Sequence, residues 1–457
     1  MVKKVFLSFS AFLFSLAMMG QNDDTLTIRK IANEVLNNGK AYQNLRFLCK
    51  KIGPRLSGSV NAQKAVEATV RMLKEAGADT VYLQSCMVPH WIRGAKEKGY
   101  IQMAGGTRKE LNLCALGNSV GSGKKGVNAG LVEIKSFAEL DKLGTAILKG
   151  KIVFFNIPMN PTYIETFTAY GESGSSRTTG PAQAAKYGAI AVMVWSLASN
   201  TDDFPHTGVT IYNDSFPKIP AVAISTNDAE WLSRQLKLKM QLKAFIQTNC
   251  ANLPDALSFN VVGEIRGTQF PKEIITVGGH LDSWDLAEGA QDDGAGIVQS
   301  IEVIRALKVA GIQPKRTIRA VMFMNEENGG RGAEKYVELA KLNNEQHIFA
   351  LESDAGGFTP RGFGFDVKEG RMEKLLQWKN LFFSYGVYDF AKGGGGADIG
   401  PLKSIGAGLA GLRPDSQRYF DVHHAATDVF ENVSRRELHL GALNMAALVY
   451  LVNKYGL

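Results

Sequence analysis

The chain has 457 residues, which is too long for one ordinary hydrophobic core, so we expect two or three domains. Hydrophobic residues make up 45% of the sequence and charged residues 21%, as in globular proteins. The formal net charge is +8, but the lysines and arginines are scattered and form no dense basic run with interleaved aromatic residues. The sequence therefore argues against nucleic acid as a partner.

The first twenty residues have the pattern of a signal peptide. Lys3 and Lys4 precede a continuous run of apolar and small residues, 5–19, which is too short for a typical transmembrane helix. An abruptly polar segment follows Gly20, and the region contains no cysteine that could carry a lipid. We expect residues 1–20 to be removed, giving a secreted or periplasmic protein without a stable membrane anchor. The alternative is an uncleaved anchor.

Four cysteines follow, at positions whose spacing matches no zinc ribbon and no CxxC motif: Cys49, Cys86, Cys114 and Cys250. Export permits disulfides. Buried free thiols are the alternative, and the sequence leaves this choice open.

The order of predicted elements indicates an α/β protein that a second α/β unit interrupts. Residues 21–120 form the first part of the main domain, with helical patterns that include an amphipathic stretch at 60–76. A segment rich in Gly, Ser and Lys, 117–126, is typical of a linker. Residues 121–255 form the inserted unit, and residues 256–457 complete the main domain.

The inserted unit contains alternating strand and helix patterns but no cluster of His, Asp and Glu. Its predicted strands lie at 152–157, 189–195 and 219–225. Between them are two long polar loops, 161–180 and 199–218. Loops of this length are usually functional or disordered.

Three predicted strands of the last part each run directly into metal-binding side chains. In chain order, they are 274–277 followed by His280 and Asp282, 317–324 followed by Glu326 and Glu327, and 347–351 followed by Asp354. Open α/β sheets place their sites at the carboxyl ends of strands. Imidazole and carboxylate groups together suit a pair of metal ions. The sequence therefore predicts a metal site at this edge of the sheet.

These residues resemble the M28 family of co-catalytic zinc peptidases. The resemblance rests on five motifs in the family's order: His-x-Asp at 280–282, Gly-Ala-x-Asp-Asp at 289–293, Asn-Glu-Glu at 325–327, Asp354, and His-x-x-x-Asp at 424–428. It implies a mixed-sheet α/β fold of the zinc-exopeptidase type (phosphorylase/hydrolase-like). Further segments are most similar to the carboxypeptidase Q branch: 52–59, 91–94, 396–402 and 419–424. The inserted unit resembles a protease-associated (PA) domain through 149–155 and 180–195.

The resemblance implies two zinc ions per chain and a role for each matched residue. The implied ligands are His280 and Asp354 for one ion, Glu327 and His424 for the other, and Asp292 as a bridge between both. Asp282 would orient the imidazole of His280, and the peptide bond after Asp292 would be cis. Glu326 would be the catalytic general base. Adjacent glutamates can divide these tasks, because one can bind metal while the next faces the attacking water.

The predicted function is therefore that of an exported di-zinc exopeptidase that hydrolyses short peptides, dipeptides in particular. An aminopeptidase acting on longer peptides is one alternative. A glutaminyl-cyclase-like transferase and a non-catalytic receptor-like homologue are two others, and the intact ligand set argues against both. Whether the chain forms a homodimer stays open.

Four features of the sequence have two interpretations each. His423 either lines the site or simply neighbours the ligand His424. The loop Gly393–Gly396 either lines the substrate pocket or is a structural turn. Arg413 and Arg418 either pair with a substrate carboxylate or form structural and surface ion pairs.

Overall fold

The computed structural model describes residues 23–238 and 240–457, so the predicted signal peptide, 1–20, lies outside the described residues. The strands are β1 (Thr80–Ile92), β2 (Lys98–Gln102), β3 (Arg108–Glu110), β4 (Leu113–Ala115), β5 (Val127–Ile134), β6 (Ile152–Phe155), β7 (Ala191–Trp195), β8 (Ala221–Ile224), β9 (Lys243–Gln247), β10 (Ala251–Ile265), β11 (Phe270–His280), β12 (Arg316–Phe323), β13 (Gln346–Glu352), β14 (Pro360–Asp366), β15 (Asp389–Lys392) and β16 (Gly408–Pro414).

The helices are α1 (residues 23–38), α2 (Ala41–Phe47), α3 (Val60–Glu75), α4 (Phe137–Leu148), α5 (Thr166–Ser173), α6 (Ser175–Thr178), α7 (Gly180–Lys186), α8 (Thr226–Lys237), α9 (Ala295–Val309), α10 (Arg331–Leu342), α11 (Glu369–Phe382), α12 (Tyr419–Val422) and α13 (Arg435–Tyr455). Among the described residues, no helix is both long enough and apolar enough to cross a bilayer.

The first sheet has eight strands in the order β1-β10-β12-β11-β13-β16-β14-β15. Its centre is parallel, because β12, β11, β13 and β16 run in one direction. At one side, β10 is antiparallel to β12, and β1 is antiparallel to β10. Strand β11 is apolar and fully buried over Ile274–Val277, as expected for a central parallel strand covered on both faces. The carboxyl ends of β11, β12 and β13 therefore meet at one edge of this sheet.

Helices cover both faces of the first sheet, as predicted for an α/β fold. Helices α9 and α13 belong to the larger core, together with the N-terminal helices. Helix α10 packs on the other face, where Ala333 and Tyr336 join Val321 and Phe323 of β12 in a separate cluster. Helix α13 is apolar over most of its circumference and almost continuously buried, which explains why it lies inside the fold rather than on it.

The second sheet has the order β3-β2-β9-β5-β6-β7-β8-β4 and forms a unit that we call the insert, residues 98–247. These limits differ from the predicted 121–255. The reason is long-range antiparallel pairing: β2 pairs with β9, and β4 pairs with β8, more than one hundred residues later. The predicted linker 117–126 thus crosses from β4 to β5 within the insert. Strand β10 already belongs to the first sheet.

All four cysteines are buried and unpaired. Burial also raises the pKa of the Cys49 and Cys114 thiols to about 12, which keeps both protonated and unreactive at neutral pH. Of the two interpretations of the cysteines, the structure supports free thiols.

Candidate metal centre

One half of the centre is built from the ends of two neighbouring parallel strands. His280 is the last residue of β11, and Asp354 follows the end of β13 by two residues. His280 Nε2 lies 3.4 Å from Asp354 Oδ1 and 3.2 Å from Asp292 Oδ1. The three side chains offer one nitrogen and two oxygens with the spacing of metal ligands, and the second such group among the described residues is Asp292, His423 and His424.

The other half joins β12 to a segment that we call the return loop, Tyr419–Asp428. Its His424 places Nε2 3.1 Å from Asp292 Oδ2 and 3.2 Å from Glu327 Oε2. Glu327 is anchored through its other oxygen, which accepts the backbone N–H of Trp284 at 3.1 Å. Asp292 therefore turns one carboxylate oxygen to each half, as a bridging carboxylate must.

Asp292 itself is held from both sides. Asp428 accepts the backbone N–H of Gln291 at 2.7 Å and that of Asp292 at 3.2 Å. The next residue, Asp293, accepts the N–H groups of His280 and Gly296 and so connects β11 with the start of α9. The Asp292–Asp293 peptide bond is cis, as the resemblance implied.

The donor set fits a pair of small divalent cations. A tetrahedral zinc ion with bonds of about 2.0–2.1 Å separates its ligand atoms by roughly 3.3 Å, which matches the 3.1–3.4 Å between the paired atoms. Asp292 Oδ2 is buried, and within the described chain no group donates a hydrogen bond to it with good geometry. A buried carboxylate oxygen without a donor is costly unless a cation neutralises it.

The electrostatics of the protein alone point the same way. Burial would raise the pKa of Asp292, but the two imidazoles beside it outweigh this and hold the pKa well below its usual range. Burial would lower the pKa of His424, but Glu327 and Asp292 raise it to about 10. Burial raises the pKa of Glu327 to about 7, with the charge of Asp292 adding to this. Several buried carboxylates thus surround only two imidazoles. A bound cation would compensate their negative charge.

Asp282 lies beneath the centre and touches three of its parts. Its backbone carbonyl is 3.0 Å from His280 Nδ1, and its carboxylate Oδ1 is 3.9 Å from the same nitrogen. Oδ1 also accepts the backbone N–H groups of Asn325 (2.7 Å) and Glu326 (3.1 Å). The hydrogen bond to His280 thus comes from the backbone carbonyl of Asp282, while its carboxylate holds the chain that leaves β12.

Glu326 follows β12 next to Glu327, close enough to the centre for its carboxyl to interact electrostatically with His280 and Asp354. Burial raises the pKa of its carboxyl to about 8, with Asp354 and Glu327 adding to the effect and His280 opposing it. Its backbone is fixed by Asp282, whereas the fully buried side chains belong to its neighbours Asn325 and Glu327. The two adjacent glutamates thus have different positions, one within the donor set and one at its edge.

Arg55 supports the loop that connects β11 to Asp292. Its side chain is fully buried and donates to the backbone carbonyls of Leu281 at 2.6 Å, Glu288 at 2.6 Å and Gly289 at 2.9 Å. This accounts for the turn-rich segment 52–59, whose role the sequence did not reveal. The loop is irregular, so its carbonyl groups need hydrogen-bond donors from outside a helix or strand. The buried guanidinium donates to three of them and so stabilises the loop.

The return loop is held by the insert, which the sequence did not indicate. Thr207 donates its N–H to the carbonyl of His424 at 3.0 Å, and its own carbonyl lies 3.2 Å from His424 Nδ1. The buried His206 places Nδ1 2.6 Å from the carbonyl oxygen of His423. Arg177, also buried, lies 3.4 Å from His424 Nδ1. These insert residues come from the two long loops that the sequence flagged only by their length.

His423 lines the centre. Its ring stacks on that of His424 with centroids 3.6 Å apart, and Nε2 is 3.6 Å from Asp292 Oδ2. Tyr170 of the insert and Tyr419 and Phe420 of the return loop surround it. Burial and the neighbouring His424 hold its pKa well below the usual range, so His423 is neutral. The histidines predicted to have no metal role, at positions 90, 206, 347 and 439, belong to neither ligand group.

Two further buried carboxylates lie under the glycine loop. Glu352 accepts the backbone N–H of Ile399 at 2.8 Å, and Asp398 has no hydrogen-bond partner on either oxygen among the residues described. A side chain at Gly396 would strike Glu352, since its Cβ would lie 1.9 Å from the Glu352 carboxyl carbon. The glycine at this position thus allows the loop to pass directly over the strand end.

A cavity of about 570 Å³ opens beside Asp354, and the Gly393–Gly396 loop forms one wall. The loop therefore lines a cavity, which favours the pocket interpretation over that of a plain structural turn. Arg413 also lines the cavity. Arg418 is not among the lining residues; its exposed side chain lies 5.0 Å from the ring of Phe358 and 3.8 Å from Glu437.

Imidazole and carboxylate groups that converge at the carboxyl ends of parallel strands are typical of metal-dependent hydrolases. The comparisons identify the family within this class. Residues 260–449 match the model of peptidase family M28. Carboxypeptidase Q of Homo sapiens is 36% identical over 417 residues, which cover 90% of this chain and 85% of that protein. The chain belongs to peptidase family M28, so the predictions of an M28 peptidase and of a mixed α/β fold are confirmed.

A solved structure and a second relative extend the comparison over nearly the whole described chain. The peptidase M28 precursor from Shewanella amazonensis SB2B superposes with a TM-score of 0.90 at 28% identity, covering 94% of this chain and 97% of that one. Aminopeptidase YwaD of Bacillus subtilis is 27% identical over 431 residues, 90% of this chain and 84% of the relative. The similarity thus includes the insert and is not restricted to the metal centre.

Proposed function

We propose that this protein is an exported di-zinc exopeptidase that hydrolyses short peptides, dipeptides in particular. The observation that carries the proposal is the meeting of two half-sites on the two oxygens of Asp292. His280 and Asp354 would hold one ion, and Glu327 and His424 the other. Zinc bound there would supply Lewis-acid polarisation of the scissile carbonyl and would acidify the attacking water.

The protein's own residues would then divide the remaining work. Glu326 accepts the proton of the attacking water and returns it to the leaving amine, since it is the carboxylate at the edge of the donor set. Asp282 keeps His280 in one orientation through the Nδ1 side of the ring. The aromatic side chains around His423 exclude water from the return-loop side, which strengthens electrostatic interactions within the site.

The limited size of the cavity supports a short substrate. Its volume of about 570 Å³ is in the range of small-molecule sites, and the insert closes one side with Ile164, Glu165 and Phe167. A long polypeptide would have to pass between this wall and the glycine loop. We further propose that the insert is a PA-like domain that covers the site and that residues 1–20 direct export. Homodimerisation remains a prediction.

An aminopeptidase acting on longer peptides is the second candidate, favoured by the similarity to aminopeptidase YwaD of Bacillus subtilis. A panel of dipeptides and tripeptides with free and blocked termini, analysed by mass spectrometry, separates the candidates. The proposal predicts that free dipeptides are cleaved best, that chelation abolishes cleavage and that zinc restores it. Stepwise N-terminal trimming of long peptides at equal or higher rates would favour the second candidate. Efficient cleavage inside a protein chain would contradict both.

A further inference from the structure

The cavity beside the metal centre contains a cationic group that the proposed mechanism does not use. Its lining includes the carboxylates Glu352 and Asp354 and two arginines, Arg361 and Arg413. The carboxylates outnumber the arginines, so a negatively charged substrate group could bind only at a specific cation. Strand pairing and the contacts of its side chain show where Arg413 lies relative to the metal ligands.

Strands β13 and β16 are parallel neighbours, and Glu352 pairs with Gly411. Asp354 lies two residues beyond Glu352, and Arg413 lies two residues beyond Gly411. The ladder between these strands ends at this pair, and Asp354 lies beyond the end of β13. The Arg413 guanidinium extends over β14, because its Cδ would lie 3.4 Å from a Cβ on Gly364 and its Nη1 lies 3.0 Å from Asp389 of β15. Asp354 and Arg413 thus line one cavity from neighbouring strands, with the guanidinium directed away from β13.

Arg413 also faces the cavity and not the opposite side of the sheet. Side chains alternate along a strand, so Arg413 shares a face with Gly411. A Cβ on Gly411 would lie 2.3 Å from the carbonyl oxygen of Gly395, which puts the glycine loop over this face. The loop therefore forms a roof that leads from Glu352 towards Arg413, and it carries no side chain that would obstruct a ligand.

The guanidinium has donors available for a ligand. Its Nη1 lies 3.0 Å from Asp389 and its Nη2 lies 3.3 Å from Glu165, which leaves most of its five N–H groups unused by these partners. Asp389 and Glu165 are themselves well exposed, so both ion pairs are screened by water and compete weakly with a ligand. A carboxylate can accept two parallel hydrogen bonds from one guanidinium.

We infer that Arg413 binds the C-terminal α-carboxylate of the peptide and so selects free dipeptides. The inference rests on the proposed peptidase function and adds the group that reads the end of the substrate. Consecutive Cα atoms are about 3.8 Å apart. A dipeptide whose scissile carbonyl lies at Asp354 and Asp292 therefore places its carboxylate one residue away, inside the cavity that Asp354 and Arg413 both line. A longer peptide would place its next residue where Arg413 and Glu165 meet.

The test compares a dipeptide that the enzyme cleaves with the same dipeptide carrying a C-terminal amide. For the wild-type protein, kcat/KM should be about 10- to 100-fold higher for the free acid, the range expected for a charged hydrogen-bonded pair. Arg413→Gln should lower kcat/KM for the acid by this factor and leave the amide unchanged. Arg413→Lys, which keeps the charge but not the planar fork, should retain part of the preference. Arg418→Gln removes the same charge outside the cavity and serves as the control.

The outcomes separate this inference from the proposed function. Equal losses for acid and amide in Arg413→Gln, or no acid preference in the wild type, would overturn the role of Arg413 while leaving the peptidase intact. A loss of acid preference in Arg361→Gln but not in Arg413→Gln would transfer the role and overturn the assignment. Calorimetric binding of both compounds to the Glu326→Gln variant gives a readout that needs no turnover. Tighter binding of the acid there, abolished by adding Arg413→Gln, would support Arg413 even if dipeptide hydrolysis itself were not observed.

Discussion

The two halves of the metal centre are built in different ways. The first half takes His280 and Asp354 from the ends of β11 and β13, parallel neighbours whose hydrogen-bonded register sets where the two strands end. His424 instead lies in the return loop with φ of 62°, a left-handed conformation that is uncommon for a residue other than glycine. The first group is supported by the sheet that carries it. The second depends on Thr207, His206 and Arg177 of the insert.

The difference shows what the insert contributes to the centre. Such a backbone conformation persists only where surrounding contacts determine it. Here Thr207 donates to one atom of His424 and its carbonyl approaches another, so backbone and ring are fixed together. The strand ends could form the first half without the insert. In the second half, the insert supplies the hydrogen bonds that hold His424, so we expect this half to depend on the insert.

The largest expected effect separates the two adjacent glutamates at the end of β12. Glu326→Gln should lower kcat by at least about a hundredfold, because general acid–base catalysis typically contributes about 10²–10⁴-fold. Zinc content, folding and KM should change little, since the lost interaction belongs to the transition state. Glu327→Gln should also lose metal. Steady-state kinetics with elemental analysis checks both, and near-full turnover or zinc loss in Glu326→Gln would reverse the assignment.

A smaller effect is expected on the zinc affinity of the half that contains the return loop. His206→Ala removes the donor to the His423 carbonyl, and groups that orient metal ligands typically contribute 10- to 100-fold to metal affinity. We therefore expect one of two zinc sites to weaken by about tenfold or more while the other keeps its affinity. His206→Asn, which retains a side-chain N–H, should recover part of the loss. Competition titration with a chromophoric chelator measures both sites.

The matched control for His206 is His439→Ala. His439 is an equally buried histidine, and burial likewise lowers its pKa to about 4, but it lies in α13 away from the centre. It should leave both zinc affinities unchanged. Equal weakening of both sites in His206→Ala, or the same loss in His439→Ala, would contradict the asymmetry between the halves.

The smallest expected effect is on stability and concerns Ser57, which is hydrogen-bonded to residues that follow β12. Ser57 accepts a hydrogen bond from Asn325 at 2.8 Å and donates to Asn328 at 2.9 Å, and all three side chains are buried. Ser57→Ala should lower the free energy of unfolding by about 1–2 kcal/mol. Zinc content should stay at the wild-type level, because the register of β11 and β12 remains. Denaturant unfolding of the metal-loaded protein checks the first expectation, and a lost zinc ion would show that the strand ends are less independent than their register implies.

The sequence predicted the strand-end half of the centre because periodicity and ligand position coincide there. Strands 274–277, 317–324 and 347–351 are continuous apolar runs, and each is followed at once by its polar residues. The return loop was reached only through the resemblance. The second sheet begins with β2, more than twenty residues before the predicted start of the insert, because pairing of β2 with β9 cannot be predicted from local sequence. Arg177 and His206 carry no motif, and only the length of their loops marked them.

The central claim is that two half-sites share Asp292, and the zinc content of the purified mature chain tests it most directly. Elemental analysis after equilibration with excess zinc and removal of free metal should give two ions per chain. Asp292→Ala should retain neither ion tightly, since the bridge serves both halves, while its circular dichroism stays that of a folded protein. A content of one ion in the wild type, or two tightly held ions in folded Asp292→Ala, would contradict the account.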